Sequence, residues 1–357
     1  MDNFASPLDK LTKVGSLYDE ISTDVLRCFA CANRCLIPNG QRGICKVRFN
    51  EQGVLRVAWG YVAGLNADPI EKKPFFHVLP AATAVTFGML GCDFHCDFCQ
   101  NWFSSQALRD EQCDAAMQRI QLISPEQIID TALKAKAQVI ASSYNEPLIT
   151  SEWAIDIFRL AVEEGICCVY VSNGNVTREV LSALKPYLTA IKIDLKTMQD
   201  KQYRSLGGVL QNILDGIQLA YEFGFWVEIV TLIIPGYNDS EGEMKETAQF
   251  IASISKDIPW HVTAFHPDYK MRTPPPTQAA TLMRAAQIGE QAGLHYVYAG
   301  NLPARTAGYE NTRCPACHAT LVERSGFQVI KNNIVGGHWC PVCSYEINGI
   351  WTSYPKP

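Results

Sequence analysis

The chain has 357 residues, 47% of them hydrophobic and 19% charged, with a net charge of -5. That length holds one large domain plus one or two small ones, and the composition is that of an ordinary globular protein. The acidic balance gives no footing for nucleic acid, no apolar run is long enough to span a bilayer, and Met1 to Lys13 lacks the apolar core of a signal peptide.

Fourteen cysteines without a secretion signal point to metal binding in a reducing compartment, so a cytoplasmic location is expected. The first set is Cys28-x2-Cys31-x3-Cys35-x9-Cys45. Four thiolates there can hold zinc or an iron–sulfur cluster, or stay reduced as structural thiols. The stretch from Cys28 to Pro80 reads as irregular and Gly-rich, and Asp68 to His77 has no metal-ligand spacing. Residues 1–80 are therefore read as a Cys-rich N-terminal segment, 81–308 as the core domain and 309–357 as a C-terminal module.

Between Ala81 and Gly300 strand-like and helix-like runs alternate. Strands are predicted at about Ala84–Met89, Val139–Ser143, Ile166–Ser172, Ala190–Leu195, Trp226–Ile233, Trp260–His266 and Tyr296–Ala299. Helices are predicted at about Pro125–Lys136, Ile149–Glu164, Arg178–Tyr187, Leu210–Phe223, Glu243–Ile254 and Gln278–Gln291. Ser124-Pro125-Glu126-Gln127 reads as an N-cap, a first-turn Pro and a capping-box Gln. Gly165, Gly224 and Gly293 stand where a left-handed C-cap is wanted. The alternation predicts an α/β fold with a parallel sheet, as a partial (β/α)6 barrel whose site gathers at the C-terminal strand ends. Small Cys-rich metal-binding flanks lie at both ends of the chain.

The first core strand runs into Gly88-Met89-Leu90-Gly91-Cys92-Asp93-Phe94-His95-Cys96-Asp97-Phe98-Cys99, a C-x3-C-x2-C run. Three such thiolates can hold three irons of a [4Fe–4S] cluster and leave the fourth iron open to a small molecule. The competing readings are a zinc knuckle and chance clustering. Zinc sites usually pair two C-x2-C arms, and this run has no second arm. Cys167 and Cys168, within a strand-like run, read as buried small hydrophobes.

Later strand ends carry polar groups. Glu146 closes Ser143-Tyr144-Asn145-Glu146-Pro147, where a carboxylate can pair with an ammonium; the plain alternative is a βα turn with an acid near a helix start. Ser172-Asn173-Gly174-Asn175 follows, then Lys192-Ile193-Asp194-Leu195-Lys196, then the Pro-Gly turn of Ile234 to Asp239. Phe265-His266-Pro267-Asp268-Tyr269 offers His266 and Tyr269 to the substrate side. Near the end, Cys314-x2-Cys317 and Cys340-x2-Cys343 form two arms around 22 residues. That is the zinc-ribbon arrangement, with iron in a rubredoxin-like site as the alternative.

The glycine before the first cysteine, the aromatic before the third and the C-x3-C-x2-C spacing resemble the radical S-adenosylmethionine (radical SAM) enzymes. The resemblance implies a [4Fe–4S] cluster on Cys92, Cys96 and Cys99 that cleaves SAM reductively to a hydrogen-abstracting radical. It places Glu146 at the SAM amino group, Ser172 and Asn173 along SAM, and Asp194 and Lys196 at its methionyl end. The early cysteines, Asp68-Pro69-Ile70-Glu71-Lys72-Lys73-Pro74, Cys99-Gln100-Asn101-Trp102, His266-Pro267-Asp268-Tyr269-Lys270-Met271 and the terminal ribbon together resemble the radical SAM component of the AmmeMemoRadiSam system, whose members are often described as pyruvate formate-lyase-activating-enzyme-like. This implies Memo-like and AMMECR1-like partner proteins, an electron donor such as flavodoxin or ferredoxin, and activase-like hydrogen abstraction from a protein or peptide. A small metabolite is the alternative substrate. An iron–sulfur electron carrier or metal-stabilised scaffold is the alternative of another class.

Overall fold

The computed structural model describes residues 7–352. Its centre is an eight-stranded sheet in strict chain order: β1 (Gly64–Pro69), β2 (Thr83–Gly88), β3 (Val139–Ser142), β4 (Cys167–Ser172), β5 (Ala190–Asp194), β6 (Trp226–Ile233), β7 (Trp260–Ala264) and β8 (Val297–Gly300). Every pairing is parallel except β1 with β2. The crossovers carry α1 (Pro125–Lys134), α2 (Ser151–Glu163), α3 (Arg178–Leu184), α4 (Leu210–Glu222), α5 (Glu241–Ile254) and α6 (Ala279–Gln291). The expected α/β order of a mostly parallel sheet is therefore present, and the sheet stays open between β8 and β1.

Local signals act where the sequence put them. Ser124 Oγ accepts from Gln127 N and Gln127 Oε1 accepts from Ser124 N, closing the capping box around Pro125. Gly165, Gly224 and Gly293 all adopt positive φ after their helices. Among the described residues no helix is long and apolar enough to cross a membrane.

The two faces of the sheet differ. Ile140, Tyr170, Ile191 and Ile229 pack toward the helices in the main core. Val139, Ala141, Val169 and Ala190 face the other way, onto Ile70, Phe75 and Val78. The segment after β1 thus folds back and fills the lower part of the inner face. Glu228 anchors it: its fully buried carboxylate accepts from Phe76 N (3.0 Å), His77 N (2.9 Å), Trp226 Nε1 (3.1 Å) and His261 Nε2 (2.6 Å).

The C-terminal ribbon closes the same end with β9 (Thr312–Arg313), β10 (Thr320–Ser325) and β11 (Gln328–Asn332). Its Leu321, Val322 and Ile347 share a core with Phe76, Tyr296 and Tyr298. Arg324 reaches inward and donates to Phe76 O at 2.8 Å and Thr312 Oγ1 at 2.8 Å.

The stretch from Cys28 to Pro80 is not irregular. It contributes β1 to the main sheet, and it joins two small antiparallel sheets, Thr12–Val14 with Val54–Ala58 and Phe49–Glu51, and Tyr18–Ser22 with Val25–Cys28 and Leu36–Pro38. The strand β1 escapes sequence reading because, at a sheet edge, most of its side chains are half-buried or exposed, with no apolar alternation. A buried ion pair joins this region to α2: Arg48 Nη1 and Nη2 meet the two Glu152 oxygens at 2.6 and 2.7 Å. Glu152 Oε1 also accepts from Ser16 N at 3.1 Å. Removing one partner leaves a buried charge alone, so Glu152→Ala should lower unfolding free energy by about 3–5 kcal/mol. Denaturant titration checks this, and a loss below about 1 kcal/mol, the range of exposed pairs, would contradict it.

Candidate active site

The cysteine triad sits on the loop leaving β2, held at its base by close contacts that leave no room for a Cβ. A Cβ on Gly88 would stand 2.2 Å from Ser143 O, and Gly91, at φ 96°, has the Val47 side chain 2.5 Å from the same position. These contacts give the glycines before Cys92 a steric reason. Further along, His95 N donates to Leu206 O, and Asp97 O accepts from Lys270 N and Met271 N. Phe94 N donates to Cys92 Sγ at 3.3 Å and Ser105 Oγ lies 3.2 Å from Cys99 Sγ.

Cys92, Cys96 and Cys99 line a cavity of about 90 Å³ together with Glu146, Ser172, Asn173, Asp194 and Lys196, all at the C-terminal ends of β3, β4 and β5. The structure brings these eight residues together. Burial raises the triad thiols, Cys96 to about 12, so they release protons on binding metal. Among the described residues, only Cys314, Cys317, Cys340 and Cys343 converge to within 4.8 Å of one another. The triad is not gathered around one point in that way, and it furnishes three of the four thiolates that a cubane takes. The donor set therefore fits a [4Fe–4S] cluster with an open iron.

Glu146 is organised from two sides. Its Oε1 accepts from Ser172 Oγ (2.7 Å) and Leu148 N (3.1 Å), and its Oε2 from Asn173 N (2.7 Å). Burial, then the Asp93 carboxylate, push Glu146 up to about 8 against those three donors. Asp93 is itself held by Asn173 Nδ2 at 2.7 Å and Asn175 Nδ2 at 2.8 Å. Asn145 ties the loop to β3 by accepting from Met89 N at 3.0 Å. Asp93, Asn145 and Asn175 were not singled out from sequence; each lies within or beside a motif, and only the fold reveals their bonds.

Asp194 is flanked by two ammoniums, Lys192 Nζ on one oxygen and Lys196 Nζ at 3.3 Å on the other. Burial works against the Lys196 cation, but Asp194 and then the Cys96 thiol raise its pKa overall. The site opens into a cavity of about 420 Å³ walled by Lys72, Lys73, Tyr144, Lys192, Val230, Thr263 and Phe327. Lys73 is anchored there, its Nζ 4.7 Å from the centre of the Tyr144 ring. Lys192 was visible in sequence as a charge inside an otherwise apolar strand. Lys72, Lys73 and Phe327 are remote in sequence and gave no such signal.

His266 and Tyr269 lie outside the residues that wall either cavity. Tyr269 is buried, stacks on Trp102 with ring centres 5.2 Å apart and donates to Asp110 Oδ2 at 2.5 Å. Its work is to hold the triad loop. His266 is exposed and meets Gln100 Nε2 at 3.1 Å.

In the ribbon, Cys314 Sγ and Cys343 Sγ stand 3.6 Å apart, and Cys317 Sγ and Cys340 Sγ 3.7 Å. His318 and Ser344 take positive φ (61° and 57°) after the two arms, the conformation in which glycine is usual. Of the N-terminal cysteines Cys28, Cys31, Cys35 and Cys45, none walls the cavity, and Cys31 and Cys35 feel the charge of Asp93.

The Radical SAM superfamily pattern matches residues 87–251 of the chain. The chain is 36% identical over 334 residues to the uncharacterized protein MJ0808 of Methanocaldococcus jannaschii, covering 93% of this chain and 97% of that protein. It is 25% identical over 175 residues to the pyruvate formate-lyase 1-activating enzyme of Escherichia coli K12, covering 45% of this chain and 71% of that enzyme. A domain of pyruvate-formate lyase-activating enzyme from Bacteroides vulgatus ATCC 8482 superposes with a TM-score of 0.40 at 24% identity, over 45% of this chain and 98% of that one.

Proposed function

This chain belongs to one family with MJ0808 and contains a radical SAM domain, and we propose that it is a radical SAM enzyme that takes hydrogen from a protein or peptide substrate. When bound, a [4Fe–4S] cluster with one open iron supplies the electron for reductive cleavage of SAM, and so the hydrogen-abstracting radical. The residues around it have separate tasks. Cys92, Cys96 and Cys99 hold the cluster, and Ser105 steadies the Cys99 sulfur. Glu146 presents a carboxylate for the SAM ammonium, oriented by Ser172 and Asn173. Asp194 and Lys196 form the polar wall at the methionyl end. Lys72 and Lys73 share the Asp68 carboxylate, and Lys192 and Lys196 share Asp194, so positive charge is in excess at the outer cavity, which favours an acidic group on the substrate.

The observation that carries the protein-substrate reading is the ribbon surface. Phe327, on the turn between β10 and β11, walls the cavity while 44% exposed, and Ile330, Val335, Trp339 and Val342 are exposed on the same module. Phe327 brings apolar surface to the cavity, and exposed apolar side chains on one module favour docking of a macromolecule. Memo-like and AMMECR1-like proteins are the candidate partners, and a flavodoxin or ferredoxin the candidate electron donor. The test is deuterium transfer: deuterated candidate proteins, or a deuterated metabolite extract, are supplied and 5′-deoxyadenosine is examined for label. Label from a protein is expected; label from metabolites alone would overturn the protein-substrate reading and leave the radical SAM reading standing.

The ribbon completes the proposal with one structural zinc on Cys314, Cys317, Cys340 and Cys343, whose spacing suits a single tetrahedral ion. Because Arg324 and Leu321 pack into the barrel base, a point change is a cleaner test than truncation. Cys340→Ser should cost about one equivalent of zinc by elemental analysis and reduce stability, since metal supplies much of a ribbon's folding energy. Unchanged zinc content would rule the site out.

A further inference from the structure

We infer that Cys28, Cys31, Cys35 and Cys45 hold a second iron–sulfur cluster, separate from the triad. Two loops bring the four together. Cys28 ends the strand Val25–Cys28, and its N–H donates to Cys35 O at 2.9 Å, closing the loop that carries Cys31. Cys45 sits in a turn fastened by Gly43 N to Arg48 O at 2.8 Å. Cys28, Cys31 and Cys45 are buried, Cys35 half-buried, and all four are free thiols. Each of the other three is close enough to feel charge on Cys28.

Burial raises Cys31, Cys35 and Cys45, the Asp93 carboxylate adds to the rise at Cys31 and Cys35, and nearby N–H groups oppose it. The N–H groups that lower the thiols are those of Asn33 at Cys31, Ile44 at Cys35, and both Val47 and Arg48 at Cys45. The ribbon, the chain's own single-ion site by spacing, has the same arrangement, Ala316 and Cys317 to Cys314 and Val342 and Cys343 to Cys340. Buried thiols with a merely structural role have no need of such donors; Cys168, equally buried, has none. The Arg48 guanidinium, though paired with Glu152, also lies in range of Cys28 and Cys45 and offsets negative charge there. Asn33 Nδ2, in the loop between Cys31 and Cys35, is buried with no acceptor. A buried donor left unpaired is costly, and a cluster's sulfides accept such bonds.

Spacing disfavours a single zinc ion. A zinc tetrahedron with Zn–S of about 2.3 Å draws its four sulfurs close together. The ribbon thiols meet that demand; no three of the N-terminal thiols lie within 4.8 Å of one another, and neither do the triad's. The N-terminal thiols are not drawn together to the degree that one zinc ion demands. With four cysteines in place of three, this second cluster has no open iron.

The test uses the full chain with Cys92, Cys96 and Cys99 all replaced by Ala, reconstituted anaerobically with iron and sulfide. It should retain about four iron and four sulfide per chain, roughly half of the wild-type content, and show an electron paramagnetic resonance signal on dithionite reduction that SAM leaves unchanged. Adding Cys31→Ser and Cys45→Ser should remove that iron and the signal. Iron and sulfide at background in the triad variant, or a second equivalent of zinc beyond the ribbon's, would overturn the inference. Should the triad variant not fold, Cys31→Ser in the otherwise unaltered chain gives the same decision: the SAM-insensitive signal is lost and the SAM-sensitive one persists. A wild-type chain with only SAM-sensitive signal overturns it. Because the triad-free chain carries the decisive readout, this outcome is independent of whether the triad cleaves SAM.

Discussion

Replacing Cys96 with Ala should reduce 5′-deoxyadenosine formation to background and remove one cluster's iron from the protein. Cys96 is the middle residue of a run in which every ligand is needed: with three thiolates already the minimum beside an open iron, two leave two irons open and the cluster falls apart. Nothing nearby can substitute, since the neighbouring polar groups are engaged. Asp93 is held by Asn173 and Asn175, and Glu146 by Ser172, Asn173 and Leu148. Cys92→Ala and Cys99→Ala should behave alike. Ser105→Ala should be milder, because the hydroxyl only supports the Cys99 sulfur; outer partners of this kind typically cost 10–100-fold in metal affinity. Anaerobic iron and sulfide analysis, with chromatographic assay of 5′-deoxyadenosine, checks the series. A Cys96→Ala protein that still cleaves SAM reductively would remove the triad from the site.

The legible part of this chain was its periodic part. Strands β2 to β8 and helices α1 to α6 were readable because each buries an apolar face, and burial imposes a period that local sequence carries. The site residues at the strand ends were readable for a related reason: Glu146, Ser172 and Asp194 interrupt or end apolar runs. The same signal was present and unused at Glu228 and His261, polar groups within strands buried on both faces, where continuous apolar runs are the norm. They proved to anchor the segment carrying Phe76 and His77. What sequence could not give was contact between distant segments. Phe327 reaches the cavity only because Arg324 pins the ribbon to the barrel base, and Lys73 only because Phe75 and Val78 fill the inner face. Tyr269 showed the converse: an attractive residue in a motif, set by stacking on Trp102 to hold the loop instead of lining the cavity.

Glu146→Gln should weaken SAM binding to the cluster-loaded protein by roughly 10- to 100-fold, the range of a lost charge-assisted hydrogen bond of about 1.5–3 kcal/mol. Gln keeps the size of the side chain but exchanges one acceptor oxygen for an amide that cannot accept from both Ser172 Oγ and Asn173 N, so orientation suffers along with charge. Binding calorimetry at matched iron content separates this from cluster loss, and an affinity within twofold of wild type would take Glu146 out of the SAM site. The same substitution has a signature in the ligand-free protein. Burial, then Asp93, raise the Glu146 carboxyl from 4.5 to about 8. A raised acid contributes stability that is fully present below the ordinary value and lost as pH rises through the folded value. Wild type should therefore lose stability relative to Glu146→Gln between about pH 4.5 and pH 8. A stability difference that stays flat across that window would mean the carboxylate is already ionised at low pH, held so by its three donors rather than waiting for the ammonium of SAM.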